Sequence, residues 1–257
     1  MYEEREVAIF DIPGAYLHAS MPDEHKVILR IKGQFVDIMC MANPEFQKYV
    51  IIEKGIKVLY LKVLRALYGC IRSAMLWYNL YKETLEKEGY TLNPYDRCVA
   101  NKYIDRKQCT LVRYVDDNKI SHESSEVVTQ EVKMISKYFG DLTITRGNEF
   151  DFLGMKIKLD RENKQVKILM TDQIEEALEM LDEELKKSVT RPAYTDLFET
   201  YDENSIPLEK ERKDKFHSIV SKLLFITKRA RPDIETAISY LTTRVSKSTI
   251  MKEIGIK

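Results

Sequence analysis

The spacing of apolar and polar positions changes several times along the chain, and each change marks a boundary. Residues 7–12 are an apolar run ended by Pro13-Gly14, the pattern of a strand running into a turn. Residues 26–32 alternate as a strand does and stop at Gly33. Residues 34–60 have no clear period, apart from a strand candidate at 57–61. From 73 to 89 the period becomes helical: Ala74, Tyr78, Tyr81 and Leu85 recur at three- and four-residue steps, and Gly89 is the stop. Residues 98–103 and 109–115 read as a hairpin across the polar turn 104–108. A second helix is expected over 126–139, with Val128, Val132, Ile135 and Phe139 on one face. Ser124 or Ser125 supplies its N-cap and Gly140 its end. Residues 150–159 and 165–170 flank the charged turn 160–164 as a second hairpin. A third helix opens at Asp172, with Glu175 at capping-box spacing and Ile174, Ala177, Leu178 and Leu181 on its apolar face. Residues 188–208, with Pro192 and Pro207, read as a linker. A helix over 210–228 follows, and Arg231-Pro232-Asp233 starts another that runs to 245.

The order strand, helix, hairpin, helix, hairpin, then helices predicts an α+β arrangement. An antiparallel sheet with helices on one face is expected, rather than a doubly wound one, and the main junction is expected near residue 170. There is no internal repeat and no low-complexity segment.

Composition narrows the class. The 257 residues are 44% hydrophobic and 32% charged, which excludes a disordered chain. Lys plus Arg and Asp plus Glu both number 41, but unevenly: residues 1–173 carry a net +1, 174–206 a net −7 and 207–257 a net +6. A uniformly basic nucleic-acid binder is excluded, whereas a local basic patch is not. Cys40, Cys70, Cys98 and Cys109 include no C-x-x-C pair, and the four histidines include no H-x-x-x-H pair. Neither a zinc site nor a disulfide framework is expected. No apolar run approaches the ~20 residues that span a bilayer. The acidic start leads straight into a strand rather than a secretory signal, so an intracellular protein is expected, neither secreted nor in a membrane.

Two segments carry chemistry. Tyr114-Val115-Asp116-Asp117 sits between two strands, and adjacent carboxylates in a hairpin turn concentrate negative charge at one exposed spot. That is unfavourable unless a cation binds, and hard oxygen ligands suit Mg²⁺. The plain alternative is an ordinary Asp-Asp turn with solvated carboxylates, which the apolar flanks Leu111, Val112 and Val115 count against. In Phe10-Asp11-Ile12-Pro13-Gly14-Ala15-Tyr16, Asp11 ends an apolar strand; alone, this is a common way to enter a Pro-Gly turn. A third carboxylate beside Asp116 would suit two metal ions ~3.5–4 Å apart, which can activate a 3′-hydroxyl and stabilise leaving pyrophosphate. Asp11 to Gly14 also fits the D-x-x-G pattern of GTPases, but the chain has no phosphate-loop motif.

In their order, these segments match a family. Asp11 with Tyr16, Leu67-Tyr68-Gly69 with Trp77-Tyr78, Tyr114-Val115-Asp116-Asp117 and Phe152-Leu153-Gly154-Met155 resemble the reverse transcriptase domain of copia-type retrotransposon Pol polyproteins. Ser218 through Leu224, then Arg231-Pro232-Asp233-Ile234 and Ala237, resemble that family's connection before its RNase H domain. The resemblance runs from Ala8 to Ser246.

The resemblance implies a palm with partial fingers over 1–170, a thumb-like helix and linker over 171–206, and a helical connection over 207–257. It implies an RNA-directed DNA polymerase using Mg²⁺ or Mn²⁺, with an RNA template, a DNA primer and deoxynucleoside triphosphates as partners. Its compartment would be a cytoplasmic particle or the nucleus. Asp11, Asp116 and Asp117 would be the catalytic metal ligands. Ile12, Tyr16, Arg72 and Tyr114 would form the nucleotide site, with the Ile12 carbonyl as an extra ligand and Tyr16 excluding a 2′-hydroxyl. Phe152, Leu153 and Gly154 would support the primer end. Trp77 and Tyr78 read as helix core. Residues 71–75 depart from the family's usual Lys-Gln-Ala-Pro-Arg-like run, with Arg72 as a partial replacement. Basic fingers ahead of Asp11 and the RNase H region are expected to be missing from this chain, or supplied by other parts of a polyprotein. The alternative is a catalytically inactive remnant that binds nucleic acid or another protein.

Overall fold

The computed structural model describes residues 3–181, 191–193, 195–198 and 208–247. They fall into two compact units, one ending at Gly147 and the other beginning at Asn148. In the first, β1 (Glu6–Asp11) leads through a one-turn helix, α1 (Ala15–His18), to β2 (Ile28–Lys32), α2 (Gln34–Ala42), β3 (Ile51–Glu53) and β4 (Ile56–Lys62). Then come α3 (Ser73–Lys87), β5 (Thr91–Leu92), β6 (Val99–Ile104), β7 (Lys107–Tyr114), β8 (Asp117–His122), α4 (Ser125–Phe139) and β9 (Thr143–Arg146). A six-stranded antiparallel sheet has the order β5-β6-β7-β8-β1-β9, and a separate three-stranded sheet has the order β2-β4-β3.

Alternation turns Ala8 and Phe10 of β1, Ala100 of β6, Cys109 and Leu111 of β7 and Ile120 of β8 to one face. Trp77, Tyr81 and Leu85 of α3 and Val128, Val132, Ile135 and Phe139 of α4 close over them. Phe139 meets Trp77 and Tyr81 edge-on, with ring centroids 5.1 and 5.3 Å apart. The expected helix cover on one face is therefore present, as a mixed α and β fold with antiparallel sheets.

Several elements differ in detail from the sequence pattern. The buried face of α3 runs through Ser73, Trp77, Tyr81, Thr84 and Leu85, leaving Ala74 exposed and Tyr78 partly buried. That stripe covers the largest ring, Trp77. In α4 the Ser124 hydroxyl accepts the Val127 N–H at 3.4 Å, and Gly140 ends the helix at φ 83°. Residues 34–60 lacked a period because α2 is apolar on both sides. Val36 and Cys40 pack on Leu59, while Phe35, Ile38 and Met41 are exposed.

In the second unit β10 (Glu149–Phe152), β11 (Met155–Asp160) and β12 (Gln165–Leu169) form an antiparallel sheet in that order. They precede α5 (Thr171–Leu181), α6 (Lys210–Thr227) and α7 (Glu235–Thr242). The single strand expected over 150–159 is cut at Leu153-Gly154, whose φ angles of 51° and 75° reverse the chain so that Phe152 pairs with Met155. The units divide after Gly147, ahead of the junction expected near 170, because β9 completes the large sheet against β1 while β10 pairs with β11. On α5, Ala177 is buried but Leu178 is exposed. Most of the expected linker 188–208 lies outside the described residues. Leu197 and Leu208, from within it, pack with Phe216 and Val220 of α6 and Ala237, Ile238 and Leu241 of α7. The last expected helix is shorter, and α7 follows a 3₁₀ turn at Pro232–Ile234.

Gly154 is confined on two counts. A Cβ there would stand 3.1 Å from the Phe225 ring, and φ is left-handed; Gln173 also donates to the Gly154 carbonyl at 3.0 Å. Gly154→Ala is therefore expected to lower stability by about 1–3 kcal/mol in urea unfolding. Adding Phe225→Leu should recover the crowding part and leave the dihedral part.

Candidate active site at the β7–β8 turn

β7 and β8 pair as far as Tyr114 opposite Asp117, so Val115 and Asp116 alone make the turn. Val115 holds φ 57°, left-handed backbone that a β-branched residue rarely adopts. Strain of this kind persists only where surrounding contacts hold it. Those contacts come from the core: Trp77 Nε1 donates to the Val115 carbonyl at 2.8 Å, and Asn118 Nδ2 donates to the Asp116 carbonyl at 2.6 Å. The Tyr81 hydroxyl donates to Asn118 Oδ1 at 2.8 Å, and the Ile12 N–H reaches the Asp116 carbonyl at 3.2 Å. Trp77, Tyr81, Asn118 and Ile12 are all buried. The turn is thus bolted from beneath, and the peptide bonds of Asp116 are fixed without using its carboxylate.

The β1–β8 register sets Asp11 directly opposite Asp117. Directly opposed side chains leave a sheet on the same face, so the two carboxylates stand together, ~4.5–5.5 Å apart at Cβ. Their neighbours Phe10 and Asn118 turn into the core. Burial, and then the charge of Asp116, raises the pKa of Asp11; burial, Asp116 and Asp11 raise that of Asp117. Three carboxylates therefore act on one another across the turn.

Two aromatic rings stand beside them. Tyr16, in α1, and Tyr68 have ring centroids 4.4 Å apart. Burial is the main cause that lifts the Tyr68 hydroxyl above its ordinary pKa, with the charge of Asp116, then Tyr16 and Asp11, and a hydrogen bond to Asp116 adding to it. The structure thus brings Asp11, Ile12, Tyr16, Asp116 and Asp117 together. Tyr114 is exposed at the end of β7, and Arg72 is exposed just ahead of α3. Phe152, Leu153 and Gly154 form the tight β10–β11 turn of the other unit.

Sequence reasoning gave no site role to Tyr68, nor to Trp77, Tyr81 and Asn118. Asn118 carried a usable signal, as a polar residue at the core-facing position between Asp116 and Ile120. Trp77 and Tyr81 read as core and are core; their polar atoms add the second task. Nothing in the spacing marks Tyr68 as a neighbour of Tyr16.

The donor set, all carboxylate and mutually repelling, fits a hard divalent cation such as Mg²⁺. Among the described residues, however, no three His, Cys, Asp or Glu side chains are grouped to hold an ion. Among the described residues no helix is long and apolar enough to cross a membrane.

The chain matches no family model. It is similar to the retrovirus-related Pol polyprotein from transposon TNT 1-94 of Nicotiana tabacum, 25% identical over 248 residues. The match covers 92% of this chain but only 17% of that polyprotein, so the chain spans about a sixth of its relative's length. Solved structures that resemble it include apo telomerase from Candida tropicalis, at a TM-score of 0.38 and 11% identity, covering 98% of this chain and 43% of that one. Telomerase from Candida albicans in complex with a fragment of telomeric RNA gives a TM-score of 0.33 at 10% identity, covering 98% and 46%.

Two substitutions separate the parts of this site. Trp77→Phe removes the bond to the Val115 carbonyl and should lower stability by about 1–2 kcal/mol in urea unfolding, the usual result of leaving a buried carbonyl unpaired. Asp117→Asn relieves repulsion among the carboxylates and should raise the thermal midpoint in metal-free buffer.

Proposed function

We propose that this chain is the catalytic palm of a copia-type reverse transcriptase and extends a DNA primer on an RNA template. The observation that carries the proposal is the register of Asp11 opposite Asp117, with Asp116 at the tip of a strained turn held from the core. Like charges are set opposite one another only at a loss, and a divalent cation turns that loss into a binding site. The similarity to a retrotransposon Pol polyprotein supports the same reading.

Asp11, Asp116 and Asp117 would hold Mg²⁺ or Mn²⁺, with the Ile12 carbonyl as a further oxygen. The bound ions would supply Lewis acidity for attack of a primer 3′-hydroxyl on a nucleoside triphosphate. Within the chain, Trp77, Asn118 and Tyr81 fix the turn so that the carboxylates need little reorganisation. Tyr16, backed by Tyr68, presents a rigid ring where the sugar of the incoming nucleotide would lie. An aromatic wall discriminates by filling the space a 2′-hydroxyl needs. Leu153 and Gly154 would support the primer terminus. Template, primer and nucleotides would be its partners, within a particle or the nucleus.

A second reading is a remnant that keeps the fold and binds nucleic acid or protein without polymerising. The lack of a grouped three-ligand set among the described residues favours it.

Primer extension on an RNA template with an annealed DNA primer, in Mg²⁺ and in Mn²⁺, separates the two. The first reading expects extension by the unmodified chain and none by Asp116→Asn. Loss of this one metal-holding carboxylate should lower the rate by at least about a thousandfold. No extension by either protein supports the remnant. In parallel, Mn²⁺ should raise the thermal midpoint of the unmodified protein and leave Asp11→Asn/Asp116→Asn unchanged. No shift in either would overturn the metal assignment.

A further inference from the structure

The stacked rings of Tyr16 and Tyr68 come from distant parts of the chain, and the segments that carry them are joined backbone to backbone. The Ala66 N–H donates to the Ala19 carbonyl at 2.9 Å and the Met21 N–H to the Leu64 carbonyl at 3.0 Å. Between these two bonds Ser20 pairs with Arg65 in an isolated antiparallel bridge. Arg65 then closes the bridge with its side chain. Its Nη1 donates to the His18 carbonyl at 3.0 Å and to the Ser20 hydroxyl at 3.2 Å.

Each side of this bridge is tied into the core. His18 Nε2 donates to the Pro13 carbonyl at 3.2 Å, because a carbonyl can only accept. The His18 ring meets Phe139 edge-on at 5.4 Å and lies 6.1 Å from Trp77, the residue that also holds the carboxylate turn. On the other side the buried Ser73 hydroxyl donates to the Leu67 carbonyl at 2.6 Å. Between these anchors the ring pair itself is weakly supported. Tyr16 sits in the one-turn helix α1, and Tyr68 is 56% exposed beside Gly69, which has φ 89°. An exposed ring on a turn is not fixed by burial, and a bridge of a few backbone bonds opens readily unless a side chain locks it. Arg65 is that lock. A ring excludes an extra oxygen only as far as it resists displacement, so the firmness of the bridge becomes the firmness of the ring pair.

We infer that Arg65 is a specificity-determining residue that acts through the two tyrosines: by clasping His18 and Ser20 it holds Tyr68 against Tyr16, and so sets how strictly a ribose 2′-hydroxyl is refused. This rests on the polymerase reading above, in which Tyr16 faces the sugar of the incoming nucleotide. Arg65 is then a positioning residue, not a catalytic one. A role confined to shaping the turn would slow the use of both kinds of nucleotide alike, whereas a role in the wall changes their ratio.

Primer extension by the full chain, with deoxynucleoside and ribonucleoside triphosphates supplied separately, tests this. Arg65→Gln, a change at an exposed side chain, should lower the deoxy-over-ribo ratio of kcat/KM by about three- to tenfold, the effect of one or two net hydrogen bonds. The change should come mainly from a lower KM for ribonucleotides, and Arg65→Lys, which keeps a donor, should recover part of the ratio. In the same Gln variant, amide hydrogen exchange at Met21 and Ala66 should speed up at least about tenfold while the amides of β8 keep their rates. A ratio unchanged by Arg65→Gln, or an equal loss for both nucleotides, would overturn the role of Arg65 and leave the polymerase reading standing. Unchanged exchange at Met21 and Ala66 would overturn the clasp. An unmodified chain that extends primers with both nucleotides equally well also overturns the role, and one that extends no primer overturns the polymerase reading together with it.

Discussion

The hydrogen bond from the Trp77 indole to the Val115 carbonyl joins a helix to the tip of a hairpin, and the carboxylate cluster depends on it. Val115 would relax towards ordinary backbone without a partner for that carbonyl, and Asp116 would turn with it. The indole itself is fixed by packing, wedged between Tyr81 and Phe139. Core packing of α3 and α4 thus reaches the chemistry through one donor atom. Asn118 and Tyr81 extend the same logic, as polar groups placed within an apolar layer to hold a carbonyl rather than to react.

This arrangement sets stability against charge. The sheet could close more tightly with neutral residues at Asp11 and Asp117, because two carboxylates opposite one another oppose strand pairing. Their pKa values are raised mainly by burial and then by the charge of Asp116, which says that the fold resists their ionisation. Carboxylates perturbed in this way on a rigid support are the physical mark by which a candidate functional site is recognised.

Much of this was legible in the sequence wherever local signals agreed with tertiary packing. Ser124 and Gly140 bracketed α4, and the apolar flanks of Asp116 and Asp117 placed them at a strand end. Signals failed where the same residue type served two ends. α2 is apolar on its buried and its exposed sides, so no period emerged. The turn at Leu153-Gly154 was hidden because Leu rarely takes left-handed backbone and its neighbours read as one strand. In the site, Asp11, Asp116 and Tyr16 were readable from spacing and resemblance. Tyr68 was not, because its place beside Tyr16 is made by a loop that returns from more than fifty positions away.

The sheet order has a consequence for how the chain is made. β1 lies between β8 and β9, so Glu6 pairs with His122 and Ala8 with Arg146. β1 is made before both of its neighbours and stays unpaired until roughly a hundred further residues have been synthesised. Contacts of such long sequence separation form late and slowly. In the interval the Val7–Phe10 stretch presents open backbone to any other unpaired strand, including its own copy on a nearby nascent chain. Crowded translation of this protein should therefore lose more product to aggregation than its finished stability would suggest, and slowing synthesis after Asp11 would worsen that loss.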